Sequence, residues 1–362
     1  MKDTFRLCLA LITLIALTTI TQGQDGPTRA EFECLSLNTS SSIAMMTGHP
    51  SADSYHHTWT PVLTYGKFKS HGLELLYEMQ GSGNEVIIVL HGGPGLPHEY
   101  YHPMLSNLSR YARLIYFDRR ADMASQRDKH EPVSVAEMAD DVEALRQTLG
   151  VDRVTLLGHS FGTAIALDYA LRYADHTKRL ILVSGAATVE DPAQAEKRLV
   201  QSFSPTEMAR YRNEGGTNNA NPCERVRRRY AVLYPHYFFK LIPYEFERGI
   251  YTVYFDSLAK KLALANNRQQ LDVRSKLSTI KAPTLVVAGR HDLATPVTQS
   301  FELAQGLPQS RFVVLEHSGH FPIFEENYLF TEWVRQFMLG TAANETQRAM
   351  SAAATTSSSG KR

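Results

Sequence analysis

The chain has 362 residues, of which 43% are hydrophobic, 10% aromatic and 21% charged, so most of it is globular rather than disordered. Lysine and arginine total 38 against 37 acidic residues, a balance that argues against a basic nucleic-acid-binding or membrane-surface module. Contents of 22 glycines, 16 prolines and 3 cysteines exclude collagen and disulfide scaffolds.

Residues 1–23 are typical of a secretory signal peptide. Lys2 and Arg6 flank the start of an apolar run that extends to Ile20, and a short polar stretch follows. A membrane anchor is the alternative, but this run is shorter than the ~20 residues that a spanning helix needs. We therefore expect cleavage after Gly23, a secreted or extracytoplasmic protein, and no membrane association once the signal is removed.

Export affects how the cysteines and asparagines are interpreted. After cleavage only Cys34 and Cys223 remain, and the sequence leaves open whether they form one disulfide or stay separate thiols. Three N-x-S/T triplets begin at Asn38, Asn107 and Asn344. They are glycan acceptors only in a eukaryotic secretory pathway.

The rest of the chain divides by pattern into a core, an insertion and two ends. Residues 24–60 form an irregular N-terminal extension, and the Ala-, Ser- and Thr-rich residues 341–362 predict a disordered tail. Strand and helix patterns alternate over 61–187 and resume over 278–340. Between these parts, the helical and aromatic residues 188–277 predict a cap inserted after the sixth core strand.

Eight short β-rich runs predict the strands, and the last six are nearly continuous in Val, Ile and Leu, as in a parallel sheet buried on both faces. The runs are 62–68, 73–79, 85–90, 113–118, 153–158, 179–184, 284–289 and 311–316. Helical patterns lie between them, at 163–173, at 324–338 and after Ser134, where a capping box with Glu137 opens a helix to about Leu149. This alternation predicts a doubly wound α/β sheet.

The most specific motif is Gly158-His159-Ser160-Phe161-Gly162, directly after the fifth predicted strand and before a helix. A G-x-S-x-G pattern at such a junction is typical of a nucleophile elbow, where glycines permit a very tight turn. The alternative is a glycine-containing loop with an incidental serine. We predict that Ser160 is a catalytic nucleophile.

A nucleophilic serine needs a histidine base and an acid that orients it, in the chain order serine, acid, histidine. Asp292 follows the seventh predicted strand and His320 follows the eighth, so both are expected at the sheet edge that carries Ser160. The less well-placed rivals are Asp272, His291 and His317.

The segment His91-Gly92-Gly93-Pro94-Gly95 follows the third predicted strand. Its glycines can bring backbone amides close to a developing oxyanion, although they also suit an ordinary sharp turn. We predict an oxyanion hole formed by the amides of Gly93, or alternatively Gly92, and of Phe161.

Other charged clusters give weaker signals. The histidines at 49, 56, 57 and 71 and the arginines at 225 and 227–229 are interpreted as solvated surface groups. A P-loop and a Rossmann fingerprint are both absent from the sequence. We predict neither a cofactor nor a metal.

Four motifs together resemble the proline iminopeptidase branch of the α/β-hydrolases: HGGPG at 91–95, GHSFG at 158–162, GRHD at 289–292 and SGHFP at 318–322. The resemblance extends over roughly 65–339 and implies an α/β-hydrolase fold. It also implies a cofactor-free serine exopeptidase that releases an N-terminal residue, often proline, from small peptides or amides.

The sequence departs from that branch in one loop. A D-x-R-G-x-G-x-S run is expected at 118–125, but Ala121 and Met123 stand where the glycines belong. The cap residues that would hold a substrate amine are also ambiguous; the candidates are Glu224, Glu245, Glu247 and Asp256. A secretory signal is likewise unusual for the branch.

These observations predict acyl transfer to a small peptide, amide or ester through an acyl-enzyme. A secreted carboxylesterase or lactonase with the same triad is the first alternative. A non-catalytic hydrolase-like binding protein is the second, although such a module has no reason to retain Ser160, Asp292 and His320 together.

Overall fold

The computed structural model describes residues 63–93, 98, 101–117, 134–188, 190, 192–214, 232–240 and 272–340. The expected signal, the N-terminal extension, the C-terminal tail and both remaining cysteines lie outside these residues. Within them, no helix has both the length and the apolar character that crossing a membrane requires.

An eight-stranded sheet forms the centre of the fold, with the spatial order β1-β2-β4-β3-β5-β6-β7-β8. The strands are β1 (Leu63–Ser70), β2 (Leu73–Gln80), β3 (Glu85–Leu90), β4 (Ala112–Phe117), β5 (Val154–His159), β6 (Thr177–Val183), β7 (Thr284–Gly289) and β8 (Ser310–Leu315). β1 pairs antiparallel with β2, and β2 antiparallel with β4. All pairings from β4 to β8 are parallel.

Helices connect the parallel strands in the described part of the chain. They are α1 (Tyr101–Leu105), α2 (Val135–Thr148), α3 (Phe161–Arg172), α4 (Pro192–Gln201), α5 (Pro205–Glu214), α6 (Val297–Gly306), α7 (Pro322–Glu325) and α8 (Asn327–Leu339). The capping box predicted at the start of α2 is present, with the Ser134 side chain accepting from the Glu137 amide and the Glu137 carboxylate accepting from the Ser134 amide.

Successive residues of β3 show why the interior of a central strand is apolar. Ile88 and Leu90 pack with α2, α3 and α6 on one face of the sheet. Ile87 and Val89 pack with α1 and α8 on the other. Because side chains alternate along a strand and both faces are covered by helices, the positions after Glu85 at the start of the strand are all apolar. The predicted doubly wound α/β sheet is confirmed.

One predicted helix is divided in the structure. The pattern over 324–338 predicts a continuous helix, but α7 ends at Glu325 and α8 begins at Asn327. Between them Glu326 has φ −124° and ψ 49°, outside helical values. Its carboxylate accepts from the amide of His317 and from the Ser318 hydroxyl, so the break supports the loop before α7.

The region between β6 and β7 is described only in part. It contains α4, α5 and a 3₁₀ turn at Tyr234–Tyr237, all in the segment predicted as a cap. The boundaries of the cap at residues 188 and 277 remain a prediction.

Candidate active site

Ser160 lies in the tight turn between β5 and α3. Its backbone has φ 52° and ψ −121°, a conformation that L-residues rarely adopt. The Ser160 amide donates to the carbonyl of Val183 at the end of neighbouring β6, at 2.9 Å. A strained backbone fixed in this way presents the side chain at the end of the strand, as expected of a nucleophile elbow.

The two glycines of the motif are required by close backbone contacts. A Cβ on Gly158 would lie 2.6 Å from the carbonyl oxygen of Gly162, and one on Gly162 would lie 2.0 Å from the carbonyl oxygen of Leu90. Both distances are far shorter than a van der Waals contact. The atoms contacted belong to the backbone, which cannot move independently. The turn therefore excludes any side chain at these two positions.

The structure brings Ser160, His320 and Asp292 together. His320 Nε2 lies 3.0 Å from Ser160 Oγ, and His320 Nδ1 lies 2.9 Å from Asp292 Oδ2. The second carboxylate oxygen of Asp292 accepts from the amides of Ala294 and Thr295, at 2.9 and 2.8 Å. With Asp292 and His320 both buried, this chain of contacts has the geometry of a Ser-His-Asp triad.

The rival residues have other contacts. Asp272 is exposed and pairs with the guanidinium of Arg274. Hydrogen bonds from this guanidinium and from the Arg274 backbone amide lower the Asp272 pKa to about 2. The rings of His291 and His317 stack on the Phe239 ring, at centroid distances of 4.2 and 5.7 Å, respectively. Within the described residues, neither imidazole forms a hydrogen bond to Ser160.

A hydrogen-bonded chain connects the site to α1. His159 Nε2 lies 2.7 Å from the carbonyl oxygen of His320, which can only accept, so this nitrogen carries the proton. His159 Nδ1 must then accept, and the Tyr101 hydroxyl donates to it at 2.6 Å. The same hydroxyl accepts from the amide of Gly92 at 3.1 Å.

His159 is suited to this fixed role because it stays neutral. Burial and, to a smaller extent, the nearby His320 lower its pKa to about 3. A neutral imidazole has one donor and one acceptor, and both are used here. Tyr101 and His159 thus join the loop after β3, the elbow and the histidine loop, a connection that sequence analysis missed.

The loop after β3 places its glycines beside the elbow. Gly93 has φ 104°, which favours glycine, and the ring of His159 lies against Gly92. The Gly92 amide is already bonded to Tyr101. Phe161 is the first residue of α3, immediately after the nucleophile.

Backbone contacts hold the His320 loop against the segment 232–240. The His320 amide donates to the carbonyl of Tyr237 at 2.6 Å. The carboxylate of Glu325 accepts from the amides of Gly319 and Phe239, at 2.7 and 2.6 Å. Burial outweighs the effect of these amide donors, so the pKa of Glu325 is raised to about 7.

The remaining predicted site residues cannot be placed. The cap carboxylates Glu224, Glu245, Glu247 and Asp256, and the variant loop 118–125, lie outside the described residues. The histidines at 49, 56 and 57 do too, whereas His71 is exposed and lies 3.4 Å from the Asp140 carboxylate.

Comparison with known proteins agrees with this architecture. Residues 85–327 match the α/β hydrolase fold family. Proline iminopeptidase of Saccharolobus solfataricus is 28% identical over 275 residues, covering 73% of this chain and 87% of that protein. A protein assigned as carbamate hydrolase RutD of Agrobacterium fabrum is 27% identical over 256 residues, covering 70% and 92%.

Among solved structures, a thermophilic esterase from Thermogutta terrifontis superposes with a TM-score of 0.60 and 25% sequence identity. The match covers 76% of this chain and 98% of the esterase. The chain belongs to the α/β hydrolase fold family, and its curated relatives include several members of the proline iminopeptidase branch.

Proposed function

We propose that this hydrolase acts by acyl transfer through Ser160. The observation that carries the proposal is the continuous chain Ser160–His320–Asp292, with contacts of 3.0 and 2.9 Å. Asp292 accepts a hydrogen bond from His320 Nδ1–H, so Nε2 presents its lone pair to the serine hydroxyl. Ser160 Oγ attacks the substrate carbonyl as His320 takes its proton.

The same histidine completes the reaction. It returns the proton to the leaving group as the tetrahedral intermediate collapses to an acyl-enzyme. It then deprotonates the water that attacks the acyl-enzyme and returns that proton to Ser160 Oγ as the acid product leaves. The Asp292 carboxylate stabilises the imidazolium in both steps, and the chemistry we propose requires no cofactor.

The developing oxyanion is held by two backbone amides in this proposal. Phe161 supplies one, because the residue after the nucleophile faces the tetrahedral carbon in this fold. Gly93 supplies the other, since the Gly92 amide already donates to Tyr101. This argument favours Gly93 over the alternative donor, and each donor is worth roughly 3 kcal/mol in the transition state.

The substrate class we propose is a small peptide or amide with a free N-terminal residue, proline or another small one. Support comes from the four motifs and from proline iminopeptidases that are 24–28% identical to this chain. An exopeptidase must recognise the terminal ammonium, and a cap carboxylate is the natural partner. The candidates are Glu224, Glu245, Glu247 and Asp256.

A carboxylesterase or lactonase with the same triad is the second candidate. The structural likeness to the Thermogutta terrifontis esterase favours it. Because ester and amide hydrolysis use the same nucleophile and oxyanion hole, the two functions differ in what the substrate pocket recognises.

We also propose that the protein is exported, on the basis of the apolar run and polar stretch in residues 1–23. N-terminal sequencing of the protein recovered from the medium or periplasm tests this. A mature chain beginning at Gln24 supports export, whereas an intact Met1 in the cytoplasmic fraction contradicts it.

The deciding experiment compares a prolyl amide, its N-acetyl counterpart and a plain ester with the same leaving group. A charge-assisted hydrogen bond to the ammonium contributes about 1.5–3 kcal/mol, so acetylation should lower kcat/KM by roughly 10- to 150-fold. Substituting each cap candidate by its amide, as in Glu245→Gln, should abolish that preference in one variant only. Equal rates for both amides, or faster turnover of the ester, would support the esterase instead.

A further inference from the structure

Three potential metal ligands meet on the α1 face of the sheet, apart from the triad. Glu78 lies on β2, directly opposite Tyr116 of β4 in the antiparallel register. His98 precedes α1 and His102 lies within it. Their imidazoles pack on the buried Tyr116 ring, with centroid separations of 6.0 and 4.7 Å.

The ligand atoms converge within a small volume. Glu78 Oε2 lies 3.0 Å from His102 Nε2 and 3.4 Å from His98 Nε2, and all three atoms lie within 4.8 Å of one another. All three are shielded from solvent. Tetrahedral coordination at bond lengths of about 2.0–2.1 Å places ligand atoms roughly 3.3 Å apart. The observed spacing therefore suits a single ion bound between the three side chains.

The contact between Glu78 and His102 is not an ordinary hydrogen bond. Although Oε2 and Nε2 are 3.0 Å apart, neither atom has a hydrogen-bond partner of acceptable geometry among the described residues. Buried polar atoms are normally satisfied, and two ligands directed at a common point between them would show this misalignment.

Two imidazoles and one carboxylate form a donor set that first-row divalent transition metals favour. We propose that Glu78, His98 and His102 form a binding site for such an ion, with Zn²⁺ as the best fit. Imidazole is a poor ligand for Ca²⁺ and Mg²⁺, which prefer oxygen donors.

The sequence carries a signal for this site, which the prediction of no metal overlooked. His98-Glu99-Tyr100-Tyr101-His102 fits the H-E-x-x-H pattern of zinc-binding helices. In those helices both histidines project from one helix, whereas here α1 begins at Tyr101 and the third ligand comes from β2. The pattern therefore places a ligand pair beside the sheet rather than at a metalloprotease centre.

The position suggests a structural role for the ion. Tyr101 lies between the two histidine ligands, and its hydroxyl bridges Gly92 and His159. An ion that joins His98 and His102 to β2 would fix the segment on which this bridge depends.

The test uses the purified full chain, stripped with a chelator and then titrated with Zn²⁺ or with Co²⁺ as a spectroscopic probe. We expect one equivalent to bind, Co²⁺ to show the visible absorption of a four-coordinate site, and saturating Zn²⁺ to raise the Tm by about 5 °C. Ca²⁺ and Mg²⁺ should neither bind at one equivalent nor raise the Tm.

Three variants locate the site: Glu78→Gln, His98→Gln and His102→Gln. Each should weaken Zn²⁺ binding by at least about 100-fold, because loss of an outer-shell partner already costs about 10- to 100-fold. His176→Gln is the matched control, since His176 also lies beside a carboxylate, 3.1 Å from Glu143. It should bind Zn²⁺ like the wild type.

Three outcomes would overturn the proposal. The wild type could bind no stoichiometric metal, which would leave a metal-free Glu-His-His cluster. Zn²⁺ binding could persist in Glu78→Gln and His102→Gln, which would exclude these residues as ligands. Alternatively, it could be retained in these variants but lost in His320→Ala, which would place the ion at the triad. Circular dichroism of each metal-free variant separates loss of a ligand from loss of folding.

Discussion

The side chain of His159 donates a 2.7 Å hydrogen bond to the backbone carbonyl of His320, so the residue before the nucleophile holds the loop of the histidine base. The two rings also lie close, with centroids 4.9 Å apart. This contact joins the ends of β5 and β8, which are separated in the sheet by β6 and β7. The spacing between Ser160 and His320 therefore depends on a side chain that has no chemical step of its own.

Replacing the nucleophile should abolish catalysis without unfolding the protein. In Ser160→Ala we expect no labelling by a fluorophosphonate reagent and a kcat lower by several orders of magnitude, because the residual rate comes only from binding and the oxyanion hole. Labelling and steady-state turnover measure both effects.

Ser184→Ala is the matched control. Ser184 is buried, follows the next strand and has φ 48° against 52° at Ser160, so the same substitution carries similar backbone strain. Its hydroxyl has no hydrogen-bond partner in the part of the chain that the structure describes. We expect full labelling of this variant, and turnover by a folded Ser160→Ala protein would exclude Ser160 as the nucleophile.

Removing the Tyr101 hydroxyl should impair positioning rather than substrate binding. In Tyr101→Phe the Gly92 amide loses an acceptor and His159 Nδ1 loses a donor, at a cost of about 1–3 kcal/mol for each buried group. We expect kcat to fall by about tenfold with KM nearly unchanged, which corresponds to roughly 1.4 kcal/mol in the transition state.

Tyr169→Phe controls for the loss of stability. Tyr169 is equally buried, and its hydroxyl donates to Glu143 at 2.8 Å, within the α2–α3 interface. The Tyr169→Phe substitution should lower the free energy of unfolding and leave kcat unchanged. If both variants had the same kcat, the connection through Tyr101 would have no role in catalysis.

The elbow should not tolerate a methyl group at Gly162. A Cβ there lies 2.0 Å from the Leu90 carbonyl oxygen, so Gly162→Ala must separate β3 from α3. We expect a loss of more than about 4 kcal/mol in the free energy of unfolding, measured in urea.

Gly150→Ala provides the comparison for that variant. Gly150 has φ +65°, but a Cβ there meets no atom within 4 Å, so only the left-handed backbone is penalised, by about 1–2 kcal/mol. Similar losses in the two variants would show that the elbow can relax around a side chain.

Stability should fall in acid partly because of His159. Its pKa is about 3 in the folded protein and about 6.5 when the chain is unfolded, so between these values the unfolded state binds the extra proton. This contribution is fully present above pH 6.5 and decreases as the pH falls toward 3. At pH 4 the loss is about 3 kcal/mol at most.

His159→Gln removes this titration while keeping an amide that can donate to the His320 carbonyl. We expect the wild type to lose more unfolding free energy than the variant between pH 7 and pH 4, as measured by urea unfolding at both values. Parallel losses in the two proteins would mean that His159 is protonated in the folded state.

Some features follow from short segments of sequence, because their causes are local. The strand runs 85–90 and 284–289 coincide with β3 and β7, because the interior of a strand covered on both faces is a continuous apolar run. The capping box at Ser134 and the elbow around Ser160 are equally local, because neighbouring residues satisfy the backbone or leave room for it. These patterns predicted the doubly wound α/β sheet, and the resemblance carried by the four motifs identified it as an α/β-hydrolase fold.

Other features depend on where distant segments meet. Sequence order offered Asp272 as well as Asp292, and His291 and His317 as well as His320; only the packing of β7 and β8 beside β6 decides which of them reach Ser160. The contact between Tyr101 and His159 and the cluster of Glu78 with His98 and His102 likewise join residues on different strands and helices. Such contacts are fixed by the order of strands in the sheet and by the side chains that fill its two faces, and no local pattern records either.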